Sequence, residues 1–274
     1  MNLSGNKFLN CCKFKKVVKV ISGLNTFSFS KVFKILKSAE ISKAGYLDVA
    51  ANAKIISLLK KTSNFPLCVS SLDPIELYNC SISGAEILEI GNFDVFYKSG
   101  LSFSSFDILK LAIETRRLVP DKDVCVTIPY TLNLYEQVSV AKKLEKLGVR
   151  LLQTEGMSDS KNLSFLNRFD VISRLLYVSA STLSSTYVLS RAVNIPVVSS
   201  SKINFISSLT SIIFGAFGVG IKSLIYDKKT VYEMSCCIDE ILHTINLSTK
   251  ANYSITPTLL VGNPNKNLFQ SKYK

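Results

Sequence analysis

Short β-rich runs alternate with longer helical patterns along nearly the whole chain. The runs are apolar and rich in β-branched residues, and most are followed by a stretch with helical periodicity. Parallel strands need long connections, so this alternation predicts a parallel sheet with right-handed helical crossovers. The predicted strands are Val17–Ser22, Tyr46–Ala50, Leu67–Ser70, Glu86–Ile90, Val124–Ile128, Arg150–Thr154, Val197–Ser199 and Gly218–Ile221.

Eight strand–helix units favour a closed barrel over an open sheet. The fold class is therefore α/β, a single (βα)8 TIM-type barrel, and 274 residues suffice for one such domain. The predicted helices are Phe29–Lys43, Asn52–Lys61, Pro74–Ser81, Ser104–Leu118, Leu134–Leu147, Ser184–Ala192, Phe205–Phe214 and Lys229–Ile245.

The barrel is expected to span residues 17–246, with an N-terminal extension at 1–16 and a poorly ordered C-terminal tail at 247–274. An insertion, Met157–Ala180, follows the sixth strand. Its first part resembles a loop, whereas Phe165–Val178 is periodic and predicts an extra helix. Long insertions after a barrel strand lie on the active-site face, where they can act as lids.

Helix ends carry recognisable chemistry. Asp73-Pro74 places an N-cap before a proline at the first helical position, and Asn133 with Glu136 forms a capping box. Three glycines between a helix and the next strand are expected to form left-handed C-caps: Gly45, Gly84 and Gly148.

The charge balance does not define a nucleic-acid site. The chain has 33 basic and 20 acidic residues, a formal net charge of +13. Its lysines are scattered over several predicted helices and form no basic stripe interleaved with aromatics, so nucleic-acid binding is disfavoured. The longest apolar stretch, Ile206–Ile225, is broken by glycines and Lys222, and no membrane association is expected.

Three acidic residues are expected at the carboxyl ends of alternate strands, where barrel enzymes build their sites. Strand parity turns Asp48, Glu89 and Glu155 towards the interior, and Lys19 is a candidate counter-charge. These four are the candidate catalytic residues, for proton transfer or Schiff-base chemistry. A structural ion network is the alternative. Their spacing demands no metal, so none is predicted.

The only histidine, His243, is expected in the last helix, which excludes Ser-His and Cys-His triads. Parity turns Thr127 and Gln153 inward as candidate ligand-binding residues. The loops after the seventh and eighth strands are candidate phosphate sites, although the loop after the seventh strand lacks the paired glycines usual in such sites. Close packing is the alternative role for Gly220. The candidate phosphate-binding residues are Ser200, Ser201, Gly220 and Ser223.

Several motifs resemble the hypothetical chloroplast reading frame 23 family of algal plastids and cyanobacteria. The resemblance is carried by Glu89-Ile-Gly-Asn-Phe-Asp94, Gln153-Thr-Glu-Gly156, Glu114-Thr-Arg-Arg-Leu-Val-Pro120 and Val126-Thr-Ile-Pro129. It covers about Val17 to Ile245 and implies a barrel fold and residence in the plastid (chloroplast) stroma, but no settled activity. Asn92 and Asp94 lie in these motifs and follow the fourth strand, so they are further candidate ligand-binding residues.

Two functions remain open from the sequence. One is a lyase, isomerase or synthase that acts on a phosphorylated small metabolite at the carboxyl-terminal face of the barrel, an expectation that depends largely on the fold. The other is a barrel that binds a metabolite as a regulator without turnover. No particular cofactor is indicated, and a homo-oligomeric state is left open.

Overall fold

Eight parallel strands close into a barrel in chain order, and the last strand pairs with the first. The computed structural model describes residues 16–23, 26, 28–91, 93–97, 99–156 and 168–250. The closed ring of eight parallel strands confirms the predicted TIM-type barrel. The strands are β1 Val17–Ile21, β2 Tyr46–Ala50, β3 Leu67–Ser71, β4 Ile87–Ile90, β5 Asp123–Ile128, β6 Leu151–Thr154, β7 Val197–Ser199 and β8 Gly218–Ile221.

Helices connect the strands on the outside of the barrel. Two short ones, after β4 and β8, were not predicted because a single turn leaves no periodic pattern. The helices of the described residues are α1 Phe29–Ile41, α2 Ala53–Thr62, α3 Pro74–Ile82, α4 Asp94–Tyr97, α5 Ser105–Leu118, α6 Leu134–Lys146, α7 Val171–Ala192, α8 Phe205–Ile213, α9 Ser223–Tyr226 and α10 Val231–Lys250.

Alternate strand residues build two separate cores. Outward-facing residues such as Val18, Leu47 and Leu88 pack against the helices in one large apolar cluster. Inward-facing residues from the first to third positions of seven strands form a second, smaller cluster, which closes the amino-terminal end of the barrel: Val17, Tyr46, Cys68, Ile87, Cys125, Leu151 and Val198. Polar side chains inside the barrel consequently lie towards its other end.

The predicted helix caps are mostly present. Asp73 accepts a hydrogen bond from the Ile75 amide, and Asn133 and Glu136 form the reciprocal capping box. Gly84 and Gly148 have the positive φ of a left-handed C-cap. The prediction for Gly45 was wrong, because Lys43 takes the left-handed conformation there. A Cβ at Gly45 would lie 2.0 Å from Val17 Cγ1, so close packing requires that glycine.

The helix before β7 differs from the prediction. Instead of an extra helix at Phe165–Val178 and a second at Ser184–Ala192, one 22-residue helix runs from Val171 to Ala192. The serine-rich stretch between them does not interrupt it, because hydroxyls such as Ser179 Oγ donate to carbonyls one turn earlier. Residues 157–167 of the predicted insertion lie outside the described residues.

Both predicted chain ends fall almost wholly outside the described residues, which begin at 16 and end at 250. The last helix, α10, continues to Lys250, four residues beyond the barrel boundary expected at residue 246. Across the described residues, no helix is both long enough and apolar enough to cross a bilayer.

The N-cap of α7 makes a local prediction. Asp170 accepts hydrogen bonds from the Ser173 amide at 3.0 Å and from its hydroxyl at 2.6 Å. Asp170→Ala should destabilise the first turns of α7 by about 1 kcal/mol. Amide hydrogen exchange at Ser173 and its neighbours should quicken about fivefold, whereas Asp239→Ala, an exposed change within α10, should leave it unaltered. Unchanged exchange in Asp170→Ala would show that the cap contributes nothing.

Candidate active site

A layer of polar side chains crosses the interior of the barrel above the apolar cluster. Successive strands β1 to β6 each contribute one inward-facing residue, and all six are at least 95% buried. We call this set the polar layer. It consists of Lys19, Asp48, Ser70, Glu89, Thr127 and Gln153.

Lys19 is the centre of the polar layer. Its ammonium contacts the Glu89 carboxylate, lies 3.1 Å from Asp48 Oδ2 and donates to Gln153 Oε1 at 2.8 Å. Gln153 Nε2 in turn donates to Glu89 Oε1 at 2.8 Å, and the Thr127 hydroxyl donates to the same oxygen at 3.0 Å. The inward orientation that strand parity predicted for Asp48, Glu89, Thr127 and Gln153 is confirmed.

The second carboxylate has its own hydroxyl partner. Ser70 Oγ donates to Asp48 Oδ1 at 2.6 Å. Two carboxylates therefore share one ammonium group, and neutral donors bind their remaining oxygens. Ser70 was not among the sequence candidates, although it occupies the inward position of β3 next to Glu89 in the sheet register.

Burial and charge act in opposite directions on the titrating groups of the polar layer. Burial alone would lower the pKa of Lys19, but Asp48 and Glu89 raise it well above its usual value. Burial raises the pKa of Asp48 to about 6, despite the attraction of Lys19 and with added repulsion from Glu89. Lys19 thus remains an ammonium ion. Schiff-base chemistry needs a neutral amine, so this geometry disfavours that role.

The carboxylates of the layer also form the one grouping with metal-ligand geometry among the described residues. Donor atoms of Asp48, Cys68 and Glu89 lie within 4.8 Å of one another. Burial raises the pKa of the Cys68 thiol well above normal, and a metal would need the thiolate. The Lys19 ammonium already lies against both carboxylates, so a divalent ion would have to displace it.

Glu155 lies beyond the polar layer and has different partners. It is the inward residue directly after β6, and its Oε2 accepts from the Tyr97 hydroxyl at 2.8 Å and the Tyr130 amide at 3.3 Å. The rings of Tyr97 and Tyr130 meet edge to face with centroids 5.1 Å apart. Of the three acids expected to converge, Asp48 and Glu89 meet on Lys19, whereas Glu155 lies one position further towards the mouth.

Tyr97 is a site residue that the sequence analysis missed. It ends the one-turn helix α4 and packs against Phe93 and Phe103. Burial, followed by the nearby Glu155 carboxylate, raises its pKa far above the usual value, so the phenol stays protonated. Asn92 lies outside the described residues, and Asp94 begins α4, with no side-chain position described.

The loop after β7 has an unusual backbone. Two successive non-glycine residues, Ser201 and Lys202, have φ values of +77° and +58°. Such conformations store strain and cluster at functional sites. The Ser200 amide donates to Thr154 Oγ1 at 3.2 Å, and the Ser201 carbonyl accepts from Thr182 Oγ1 at 2.9 Å. The loop thus has a fixed conformation without the paired glycines usual in phosphate loops.

The loop after β8 lies beside it. A Cβ at Gly220 would lie 2.6 Å from Ser200 Oγ, so this glycine is needed for close packing of β8 against β7. Lys222 and Ser223 follow on the exposed rim, and the Lys222 side chain passes over Gly23. The four residues expected to bind phosphate therefore lie at the carboxyl ends of two neighbouring strands: Ser200 and Ser201 follow β7, Gly220 lies in β8 and Ser223 begins α9. Ser200 is buried and Ser223 is exposed. His243 is exposed on α10.

Fold and site together define a TIM-type barrel protein with a layer of buried polar side chains in its interior. The family model described as "Protein of unknown function (DUF561)" matches residues 3–251. The chain is also 41% identical to "Uncharacterized protein ycf23" of Antithamnion sp. over 99% of both chains. The protein of the same name from Cyanophora paradoxa is 39% identical over 89% of this chain and 98% of that one. The chain belongs to this ycf23 family, whose relatives come from plastid genomes.

Solved structures of similar fold are much more distant in sequence. "Native KDPGal structure" aligns with a TM-score of 0.58 at 11% identity, over 85% of this chain and 96% of that one. (S)-3-O-geranylgeranylglyceryl phosphate synthase from Thermoplasma acidophilum, in complex with sn-glycerol-1-phosphate, aligns at 0.59 and 11%, over 89% and 99%. Thiamine phosphate pyrophosphorylase from Pyrococcus furiosus aligns at 0.54 and 15%, over 84% and 96%. At these identities the likeness shows the fold alone.

Removing Lys19 should be among the most damaging single changes. Lys19→Met leaves Asp48 and Glu89 buried without their cation, which should lower the free energy of unfolding by about 3–5 kcal/mol. Chemical denaturation measures this. Lys60→Met, which breaks the partly exposed pair with Glu86, is the matched control and should cost about 1 kcal/mol or less. A Lys19→Met protein as stable as this control would refute the ion pairing.

The raised pKa of Asp48 predicts a pH dependence of stability. Its carboxyl titrates near 6 in the folded protein and near about 3.9 when unfolded, so the folded state holds the extra proton between these values. The group's contribution is therefore full below about pH 4 and is lost as the pH rises through 6. Asp48→Asn should remove this decline, measured as the unfolding free energy from pH 4 to 7. Parallel curves for both proteins would contradict the assignment.

Proposed function

We propose that the protein is a plastid stromal enzyme of the lyase, isomerase or synthase type that acts on a phosphorylated small metabolite. The observation that carries this proposal is the arrangement at the mouth of the barrel. A carboxylate, Glu155, lies directly after β6, while Ser200 and Ser201 follow β7 and Lys222 and Ser223 follow β8. A reacting carbon and its phosphate could thus be held on opposite sides of one opening.

The proposed roles follow from position. Glu155, the acid nearest the mouth, transfers the proton, and the permanently protonated Tyr97 phenol orients it. The polar layer below, with Lys19, Asp48 and Glu89, places a fixed set of buried charges beneath the mouth of the barrel. Gln153 and Thr127 connect these charges by hydrogen bonds to β5 and β6, the second of which leads to Glu155. Ser200, Ser201 and Ser223, with Lys202 and Lys222 nearby, bind the phosphate.

The comparisons support the substrate class but not a particular reaction. Two of the solved structures of similar fold are a complex with sn-glycerol-1-phosphate and a thiamine phosphate pyrophosphorylase, and both names contain a phosphate ester. In TIM-type barrels the loops after the seventh and eighth strands commonly bind such phosphates. The shared fold raises the expectation by analogy, whereas the proposal itself depends on Glu155 and the strained loop after β7.

A regulatory barrel is the second candidate, and one observation favours it. The charges of Lys19, Asp48 and Glu89 are buried and satisfied by one another, which suits a structural network as well as a reactive one. In that case the protein would bind the same metabolite without turnover.

Phosphate binding can be tested without knowing the substrate. Inorganic phosphate at high concentration should raise the melting temperature by several degrees, since saturation at 100 times Kd adds about 2.7 kcal/mol. The double variant Lys202→Met/Lys222→Met should lose more than half of that shift. The control Lys61→Met removes an exposed lysine from the end of α2, at the opposite end of the barrel, and should keep all of it. Equal shifts in the two variants would count against the proposed anion site.

Catalysis is then separated from binding with Glu155→Gln in a host that lacks the chromosomal gene. Glu155 is the better choice because changes at Asp48 or Glu89 also disturb the Lys19 ion pairs. An enzyme requires that Glu155→Gln keep its phosphate-dependent stabilisation and fail to restore growth. Full restoration by this variant would favour the regulatory barrel.

A further inference from the structure

A mainly apolar cleft lies between α7 and α8 on the outside of the barrel. Its volume is about 590 Å³. This is within the range of small-molecule pockets, roughly 300–1,000 Å³. Its walls include Leu176, Tyr177, Ala180 and Leu183 of α7, with Thr210 and Phe214 on the other side.

The two helices that line the cleft have unequal lengths. At 1.5 Å per residue, the 22 residues of α7 span about 33 Å and the nine of α8 about 14 Å. α7 contacts α8 near both ends of α8, through Asn204 and the Leu175 carbonyl and through Ser190 and the Phe214 carbonyl, and most α7 residues of the cleft lie between these contacts. Phe169, which lies just before α7, and Tyr177 within it are 49% and 52% exposed.

The cleft is adjacent to the loop that we assign to phosphate binding. Asn204 Nδ2 donates to the Leu175 carbonyl at 2.9 Å, and Thr182 Oγ1 donates to the Ser201 carbonyl at 2.9 Å. Two turns of α7 thus hold the loop on one side and line the cleft with Leu176 and Leu183 on another. Lys202 is exposed at the loop.

We propose that the metabolite is amphiphilic: a phosphate ester whose group binds at the loops after β7 and β8 and whose apolar chain lies in the α7–α8 cleft. This inference rests on the proposed function, because it takes the phosphate site as given. A cationic, hydroxyl-lined loop beside an apolar cleft complements one molecule with an anionic head and an apolar tail. The cleft thus sets the chain length that the protein accepts.

The experiment compares alkyl phosphates of increasing length by calorimetry, below their micelle concentrations. Each buried methylene should tighten binding roughly fourfold, so octyl phosphate should bind at least about 100-fold more tightly than ethyl phosphate. Octanol, which lacks the anion, should bind far more weakly than octyl phosphate. Ala180→Trp, at an exposed position within the cleft, should abolish the gain with chain length and leave ethyl phosphate affinity unchanged. Ile113→Trp, an exposed change on α5, is the control and should keep the gain.

The outcomes separate this inference from the proposed function. If ethyl phosphate binds and octyl phosphate gains nothing, the amphiphile is wrong and the phosphate site stands. A chain-length gain that survives Ala180→Trp would place the tail elsewhere and overturn the assignment. A third outcome is that the wild-type protein is a dimer, Ala180→Trp is a monomer, and neither gains affinity with chain length. That outcome would overturn the amphiphile and assign the cleft to a second copy of the chain. Failure of every phosphate to bind would overturn both proposals.

Discussion

The interior of this barrel depends on one buried cation. Lys19 carries its charge inside β1, and only because Asp48 and Glu89 lie against it can three ionisable groups remain away from water. Burying such groups costs more than an apolar packing would, so the arrangement is poor evidence for stability alone. What it provides is geometry: Ser70, Thr127 and Gln153 are held by the two carboxylates, and five strands are thereby connected to Lys19 through side chains as well as through the sheet.

Most of the fold could be predicted from the sequence because parallel strands and their helices leave separate periodic signals. Strand boundaries were within one residue, and caps such as Asp73 and Asn133 were recognisable from residue type. The errors have physical causes. Ser179 and Ser181, between Val178 and Ser184, look like a break, but the Ser179 hydroxyl donates back to the Leu175 carbonyl within α7. Lys43 adopts a conformation usually taken by glycine, while Gly45 is required by contact with Val17, and neither fact is visible in a local pattern.

The site was predictable to the extent that it depends on parity. Alternation along β2, β4 and β6 turned Asp48, Glu89 and Gln153 inward, and closure of the barrel brought them to Lys19. The position of each inward-facing side chain along the barrel axis was not predictable, because it depends on the stagger between neighbouring strands. Glu155 therefore lies beyond the layer that it was expected to join. Tyr97 was missed for a related reason: its helix has a single turn, and only tertiary packing on Phe93 and Phe103 brings it to Glu155.

The two halves of the barrel mouth have different physical characters. On the side of β1 to β6, the interior is filled by mutually satisfied charges, whose rearrangement would expose an unpaired ion. On the side of β7 and β8, Ser200 and Gly220 are small, the backbone at Ser201 and Lys202 is strained, and the loop is held to α7 by single hydrogen bonds. Strain is tolerated only where the surroundings hold it, and here those surroundings are the hydroxyls of α7. A ligand that replaced the Thr182 contact would change the loop and the cleft together, since both depend on the same two turns of helix.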